Sequence, residues 1–330
     1  MALVDRYLLA HASPVCEQDS LDPARLAQVP RPATVAPKPE TSHQPWGSVV
    51  THSVAALLNA HGLHPRKRLG QNFLTDPVAL ERIVATADLS PDDVVVEVGA
   101  GVGTLTHPLA ERAGQVFALE LDDRLVGLLH AELADLPNVE IVHGDALHFS
   151  TGRFPHLGYK VVANLPYYIS TAIIQRLIAC RGTFTSLTLM LQKEVAERIA
   201  AAPGGKEYGF LSVLVQYHTI PRVEFLVPPG AFTPRPKVDS AVVTLQVRER
   251  PAVPVADETL FVQVIKAAFG QRRKTLRNSL GTLGIARDAM EVVQRMSGID
   301  LGRRAETLSL AEFAALSDAI GRKNRGKEYT

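Results

Sequence analysis

Val161-Val162-Ala163-Asn164-Leu165-Pro166-Tyr167-Tyr168 is the stretch that decides the fold. Its apolar beginning has the character of a parallel strand buried on both faces, and it stops abruptly at an amide, a proline and two tyrosines. In open α/β sheets the chemistry lies just beyond the carboxyl ends of such strands, so Asn164 to Tyr168 are expected to line a crevice. Asparagine offers a carbonyl acceptor, Pro166 stiffens the turn, and a tyrosine ring gives a flat face on which another ring can stack. That combination suits adenine or a similar amine-bearing base. The exocyclic amine of adenine is a poor nucleophile, because its lone pair is delocalised into the ring. Two fixed acceptors on its hydrogens, Asn164 and the backbone carbonyl of Leu165, would favour a pyramidal nitrogen with the pair aimed at an electrophile. Stacking on Tyr167 would hold the base in that near-attack position. A strand end closed by an Asx-type turn explains the same residues, so the choice between the two rests on the chain upstream.

Upstream, Val94-Val95-Val96-Glu97-Val98-Gly99-Ala100-Gly101-Val102-Gly103-Thr104-Leu105-Thr106 reads as strand, glycine-rich turn and helix. Glycines let backbone approach a ligand where a Cβ would clash, and the following helix points its positive end inward. A second strand, Gln115 to Leu121, ends in Glu120-Leu121-Asp122, where an acidic residue typically grips ribose hydroxyls. A third, Val139 to His143, runs into Gly144-Asp145-Ala146, and a carboxylate there can accept from an adenine amine. The glycine spacing departs from the G-x-G-x-x-G made for pyrophosphate, and the acidic lining suits a sulfonium cation. Both features favour S-adenosyl-L-methionine over a nicotinamide cofactor. Acids here also serve as helix caps, and Asp122 or Asp123 is expected to be one. His143 and His148 read as ordinary strand-end residues.

Composition frames these motifs. With 330 residues, 46% of them hydrophobic, the chain can bury a real core and is expected to form two domains and a tail. The formal net charge of +1 is uninformative, but its distribution is not. From Asp92 to Lys160 there are 11 acidic and 4 basic residues, whereas Lys266 to Thr330 carries 13 basic and 7 acidic. An acidic module able to hold a cationic small molecule thus precedes a basic one able to meet phosphates. The two cysteines, Cys16 and Cys180, lie far apart, and neither a disulfide framework nor a metal site is expected. Charges interrupt the opening Met1-Ala2-Leu3-Val4-Asp5-Arg6, so no secretory signal or membrane span is expected, and the location implied is cytoplasmic.

In chain order, residues 1–47 are proline-rich without apolar period and are expected to form a disordered extension. Helical spacing begins at Val49 to His61, closed by Gly62. Arg66-Lys67-Arg68 then precede a loop, Gln71 to Leu74, that could fold over a ligand. Asp76 should cap a helix that has Pro77 at its first position. Beyond the central motif, helices are expected at Thr171 to Ala179 and Lys193 to Ala200, with strands at Thr185 to Leu191, Val223 to Val227 and Ser240 to Val247. Pro251 to Asp257 reads as a linker, followed by helices to Ile320. The domains expected are therefore 48–250, catalytic, and 257–325, helical.

The ordered set of motifs resembles the ribosomal RNA adenine dimethyltransferases, the KsgA/RsmA/Dim group. The likeness is carried by Arg-Leu-Gly-Gln-Asn-Phe-Leu (68–74), Glu-Val-Gly-Ala-Gly-Val-Gly (97–103), Glu-Leu-Asp (120–122), Gly-Asp-Ala (144–146) and Asn-Leu-Pro-Tyr (164–167). It continues through Phe-Thr-Pro-Arg-Pro-Lys-Val-Asp-Ser (232–240) and Phe-Gly-Gln-Arg-Arg-Lys-Thr-Leu-Arg-Asn-Ser-Leu (269–280). The resemblance implies an α/β Rossmann-like class I methyltransferase with a seven-stranded sheet and a small C-terminal all-α domain. It implies that Asn72, Leu74, Gly99, Glu120, Asp145 and Asn164 bind S-adenosyl-L-methionine. Asn164, Leu165, Tyr167 and Phe232 would serve the target base, with Phe232 stacking opposite Tyr167; a core role for Phe232 is the competing reading. Arg272, Arg273, Lys274 and Arg277 could hold RNA phosphates or, alternatively, salt-bridge to acids of the catalytic domain; Arg66, Lys67 and Arg68 are further candidates for RNA, with a solvated basic turn before the capped helix as their competing reading. The activity implied is dimethylation, at N6, of two adjacent adenosines in a 3'-terminal hairpin of small-subunit 16S rRNA. The expected partner is that rRNA within an assembling 30S-type particle, met by a monomer away from membranes and without a metal. Two rivals remain: a 23S rRNA methyltransferase of the antibiotic-resistance type, and a non-catalytic ribosome-assembly or transcription factor on the same fold.

Overall fold

The computed structural model describes residues 54–148, 158–271 and 273–325. The proline-rich extension, the start of the helix expected from Val49, and Arg272 lie outside them. The chain forms two compact units, one comprising the residues to Ala196 with Arg222–Val247, the other Glu197–Pro221 with the residues from Arg248.

The first unit opens with α1 (Val54–Ala60), β1 (Phe73–Leu74) and α2 (Pro77–Thr86). Strand and helix then alternate through β2 (Val94–Val98), α3 (Thr106–Arg112), β3 (Gln115–Glu120), α4 (Asp123–Glu132), β4 (Val139–His143), β5 (Tyr159–Asn164), α5 (Ser170–Ala179), β6 (Phe184–Gln192) and α6 (Lys193–Ala200). It ends with strands β7 (Thr219–Val227), β8 (Phe232–Thr233) and β9 (Ser240–Val247). Seven strands make one sheet in the order β4-β3-β2-β5-β6-β9-β7. Strands β2 to β6 pair in parallel, and β9 runs antiparallel to β6. This is the Rossmann-like seven-stranded sheet that the resemblance implied.

Local chemistry explains the element ends. Asp76 caps α2, its side chain accepting from the Ala79 amide at 2.8 Å, and Pro77 occupies the first turn, where its missing N–H costs nothing. Ala79, Leu80, Ile83 and Val84 form one apolar stripe of α2. They pack with Leu105, Leu109, Val95 and Val116 in a single cluster, each large side chain contributing about 1.5–3 kcal/mol by leaving water. β2 and β5 show no alternation because both of their faces are covered, which is why they read as continuous valine runs.

The second unit holds α7 (Phe210–His218), α8 (Glu258–Gly270), α9 (Leu276–Ser279), α10 (Arg287–Ser297) and α11 (Leu310–Arg325). Residues 197–221, which the sequence grouped with the sheet, cluster here, so the last half of α6 and the first three residues of β7 count with this unit. Gln216 Nε2 donates to the carbonyls of Ile199 and Ala201, both at 2.8 Å, and Gly204 N–H donates to Glu306 at 2.7 Å. The Tyr217 ring lies 4.6 Å from Phe261 of α8, and Phe269 of α8 lies 5.7 Å from Phe313 of α11. α7 itself was not expected, because Phe210-Leu211-Ser212-Val213-Leu214-Val215 is apolar on every side and carries no helical period.

Candidate active site

Within the first unit the sheet reverses its order between β2 and β5, and a cleft opens at the carboxyl ends of the strands there. It spans about 700 Å³ including the solvent at its open mouth. Gly99, Glu120, Asp145, Asn164 and Asn72 all line it. Five of the cofactor residues expected from sequence thus share one hollow. Leu74, the sixth, is buried and pairs through its backbone with Phe232 rather than lining the cleft.

The floor is the glycine turn after β2. Gly99 and Gly101 have φ of 80° and 63°, left-handed values that an L side chain resists. A Cβ at Gly101 would also stand 3.1 Å from the Phe73 ring. The turn folds back on Glu120, whose carboxylate is nearly buried. Its Oε1 accepts from the amides of Leu121 at 2.9 Å and Asp122 at 2.8 Å, and its Oε2 from Gly101 at 2.8 Å. Burial raises its pKa above the usual carboxylate value, while these three amides pull the other way. A carboxylate has about four acceptor positions, so roughly one is left for a hydroxyl of a bound ligand.

Two further acids stand nearby. Glu97 is fully buried, accepts from Thr106 Oγ1 at 2.6 Å, and is pushed up to about 8 by burial, with the charge of Glu120 adding to the effect. It is therefore mostly neutral at physiological pH. Asp145 accepts from the Leu147 amide at 2.9 Å and lies 3.2 Å from His148 Nδ1. His148, read from sequence as ordinary, is thus a neighbour of the acid expected to meet adenine.

On the opposite wall, Asn164 Nδ2 donates to the backbone carbonyl of Asn72 at 3.1 Å. With the amide nitrogen so engaged, the side-chain oxygen is the atom available to accept. Leu165 is buried, and its N–H donates to Met190 of β6 at 3.1 Å. Tyr167 is hydrogen-bonded through its hydroxyl to Ser240 at 2.5 Å, and burial raises its pKa. Neither Leu165 nor Tyr167 is among the cleft-lining residues; Pro166 and Tyr168 are. Phe232 is 4% exposed and belongs to the core cluster with Leu74 and Leu80, so in this conformation it packs as a core phenylalanine.

The sequence placed Tyr168 in the crevice, Gln71 in a loop over a ligand and Asp122 among the helix caps, but gave none of them a named role in the site. Tyr168 is 49% exposed, and its ring covers Gly70, where a Cβ would come within 2.9 Å of Cδ1. Gln71 lies in the quoted 68–74 motif and Asp122 in the 120–122 motif, but their contact spans 51 residues and leaves no local signal.

The cations divide. Arg66 directs Nη1 to Asp122 at 3.3 Å and lies 4.0 Å from Asp123, so its charge is engaged within the protein. Arg277 donates Nη2 to Gln294 at 3.2 Å. Arg68, Arg273 and Lys274 are exposed. Arg272 and the side chain of Lys67 fall outside the described residues. Among the described residues no group of three His, Cys, Asp or Glu could hold a metal, and no helix is long and apolar enough to cross a membrane.

The glycine cradle, the ribose-type acid, the second acid and an amide acceptor in one cleft suit an adenosine-bearing sulfonium, and comparison with known proteins agrees. The family model described as ribosomal RNA adenine dimethylase matches residues 62–321. The Ribosomal RNA small subunit methyltransferase A of Moorella thermoacetica is 48% identical over 277 residues, covering 80% of this chain and 96% of its own. That of Geobacter sulfurreducens is 49% identical over 269 residues, covering 80% and 98%. Among solved structures, a dimethyladenosine transferase from Plasmodium falciparum aligns with a TM-score of 0.62 at 25% identity, over 76% of this chain and 97% of its own. The 23S rRNA methyltransferase ErmE aligns at 0.58 and 29%, over 76% and 100%. On fold, site and kinship together, this chain belongs to the ribosomal RNA adenine dimethylase family.

Proposed function

We propose that this protein is an S-adenosyl-L-methionine-dependent methyltransferase that dimethylates N6 of two adjacent adenosines in the 3'-terminal hairpin of small-subunit rRNA. The observation that carries the reading is the convergence of Gly99, Glu120, Asp145 and Asn164 on one cleft at the reversal of the sheet. The small-subunit target is supported by relatives of that name at 48–49% identity, against 29% for the large-subunit enzyme.

When bound, the cofactor supplies a methyl group on a sulfonium. Glu120 would accept from its ribose, Asp145 from its adenine amine, and the glycine turn would admit its methionine portion without a Cβ in the way. Asn164, its amide held by Asn72, would accept a hydrogen of the target amine, and the Leu165 carbonyl the other. Those two acceptors favour the pyramidal nitrogen needed for in-line attack, and the proton shed on methylation can pass to water. Holding a weak nucleophile in this geometry replaces the need for a strong base. Tyr167, anchored by Ser240, would present its ring to the base, and Phe232 would have to leave the core cluster to complete a sandwich. Arg68, Arg273 and Lys274 would meet phosphates. The setting is the cytoplasm, and the substrate an assembling 30S-type particle engaged by a monomer.

The test is to incubate the purified protein with methyl-labelled cofactor and undermethylated small and large ribosomal subunits and to map the label. Dimethyl label on two neighbouring adenosines is expected. Label confined to large-subunit rRNA would transfer the assignment to the antibiotic-resistance type, and no label on either would favour a non-catalytic assembly factor.

A further inference from the structure

Asp122 is tied to more partners than a helix cap needs. It precedes α4 and accepts from the Arg124 amide at 3.3 Å, which is the capping contact. Yet its carboxylate is wholly buried and receives four further donors: Arg124 Nε at 3.0 Å and Nη2 at 2.7 Å, Arg66 Nη1 at 3.3 Å and Gln71 Nε2 at 3.0 Å. Gln71 in turn accepts from the Arg66 amide at 2.6 Å, so its side chain staples its own loop as well as Asp122. Through its backbone N–H, Asp122 also donates to Glu120 Oε1 at 2.8 Å. One residue therefore touches the ribose-type acid on one side and the loop Arg66–Asn72 on the other. The donors, the Arg124 fork chief among them, hold its carboxyl down at about 2 against the cost of burial, so the tie stays ionised throughout the physiological range.

We propose that Asp122 is a positioning residue that locks the loop Arg66–Asn72 against the end of β3, so that a cofactor seated on Glu120 is retained beneath Gln71 and Asn72. The inference rests on reading the cleft as the cofactor site. It assigns Arg66 to the lock rather than to RNA, and it makes the loop, through Asn72 and Asn164, a continuous polar link from cofactor to target amine.

The variant Asp122→Ser keeps a hydroxyl able to cap α4 but is too short to reach Gln71. Gln71→Ala removes the staple while leaving Asp122 and α4 untouched, and so separates a lost lock from a damaged fold. Amide hydrogen exchange of residues 66–73 is compared in the ligand-free proteins, and affinity for S-adenosylhomocysteine is measured by calorimetry. Both variants should exchange about tenfold faster across 66–73 with α4 unchanged, bind S-adenosylhomocysteine about tenfold more weakly, and raise KM for the cofactor with kcat within about twofold. Exchange across 66–73 equal to wild type in both variants would overturn the lock, as would a fall in kcat at unchanged KM. Should the wild-type protein take up no S-adenosylhomocysteine, the cofactor reading itself is wrong; the exchange measurement, made without ligand, still decides whether Asp122 holds the loop.

Discussion

Asn164 Nδ2 lies 3.1 Å from the backbone carbonyl of Asn72, a bond that joins the end of β5 to the loop before β1 across 92 residues of chain. It settles which end of the Asn164 amide is committed. An amide held by its nitrogen offers its oxygen, and an oxygen is what a target amine requires.

Asn164→Ala should therefore lower methyl transfer by at least about 100-fold, the scale on which removal of a preorganised catalytic hydrogen bond acts. Affinity for S-adenosylhomocysteine should stay within severalfold. Single-turnover transfer of labelled methyl, set beside calorimetry, checks both halves; near-normal turnover would remove Asn164 from the mechanism.

Glu120→Ala should weaken cofactor binding by about tenfold or more, because it deletes the acceptor for a ligand hydroxyl and also frees the Gly101 amide that holds the glycine turn. A lower thermal midpoint should accompany the loss, since three backbone amides lose their partner. Calorimetry that finds wild-type affinity would contradict the ribose assignment.

Glu97 makes stability depend on pH in a direction opposite to that of a paired surface acid. Its folded pKa, about 8, lies above the 4.5 of an unperturbed glutamate, so the native state binds the extra proton. The stabilisation is complete below pH 4.5 and is lost as pH rises towards 8. Glu97→Gln, a neutral isostere that can still accept from Thr106, should flatten this slope and be more stable than wild type by about 4 kcal/mol at pH 8. Urea unfolding at pH 5 and pH 8 measures it; equal slopes for the two proteins would mean that Glu97 is ionised when folded.

Removing both Arg273 and Lys274 should reduce the log-log salt slope of RNA binding by up to about 2, if each cation neutralises one phosphate. Arg66→Ala should leave that slope unchanged, because its charge is engaged by Asp122. An unaltered slope in the double variant would favour the salt-bridge account of the basic segment.

The fold was legible where the physics is local. β4, β9 and α6 fall on the residues that their periods indicate, and Asp76 and Gly62 mark helix ends by rules that operate within a few residues. The meeting of the strand-end residues was legible for a related reason: in a parallel sheet each strand delivers its last residue to the same edge, so Gly99, Glu120, Asp145 and Asn164 had to converge on one cleft. The surroundings of the residues expected to face a base were less so. Phe232 shares a cluster with Leu74 and Leu80, and Tyr167 spends its hydroxyl on Ser240, 73 residues away, contacts that no window of sequence encodes. Arg66 looked like a phosphate ligand because its partner, Asp122, is distant in the chain.

The two-residue ladder in which Phe73 faces Thr233 and Leu74 faces Phe232 fastens the segment beside the glycine turn to the segment that would receive the flipped base. Such a short clasp has few bonds to break, yet it allows neither jaw to shift without tugging the other. Withdrawal of Phe232 towards an incoming nucleotide would thus pull on the very strand that borders the donor's seat. For a catalyst that must discard spent donor and reload, such a clasp would join the fate of the one seat to that of the other.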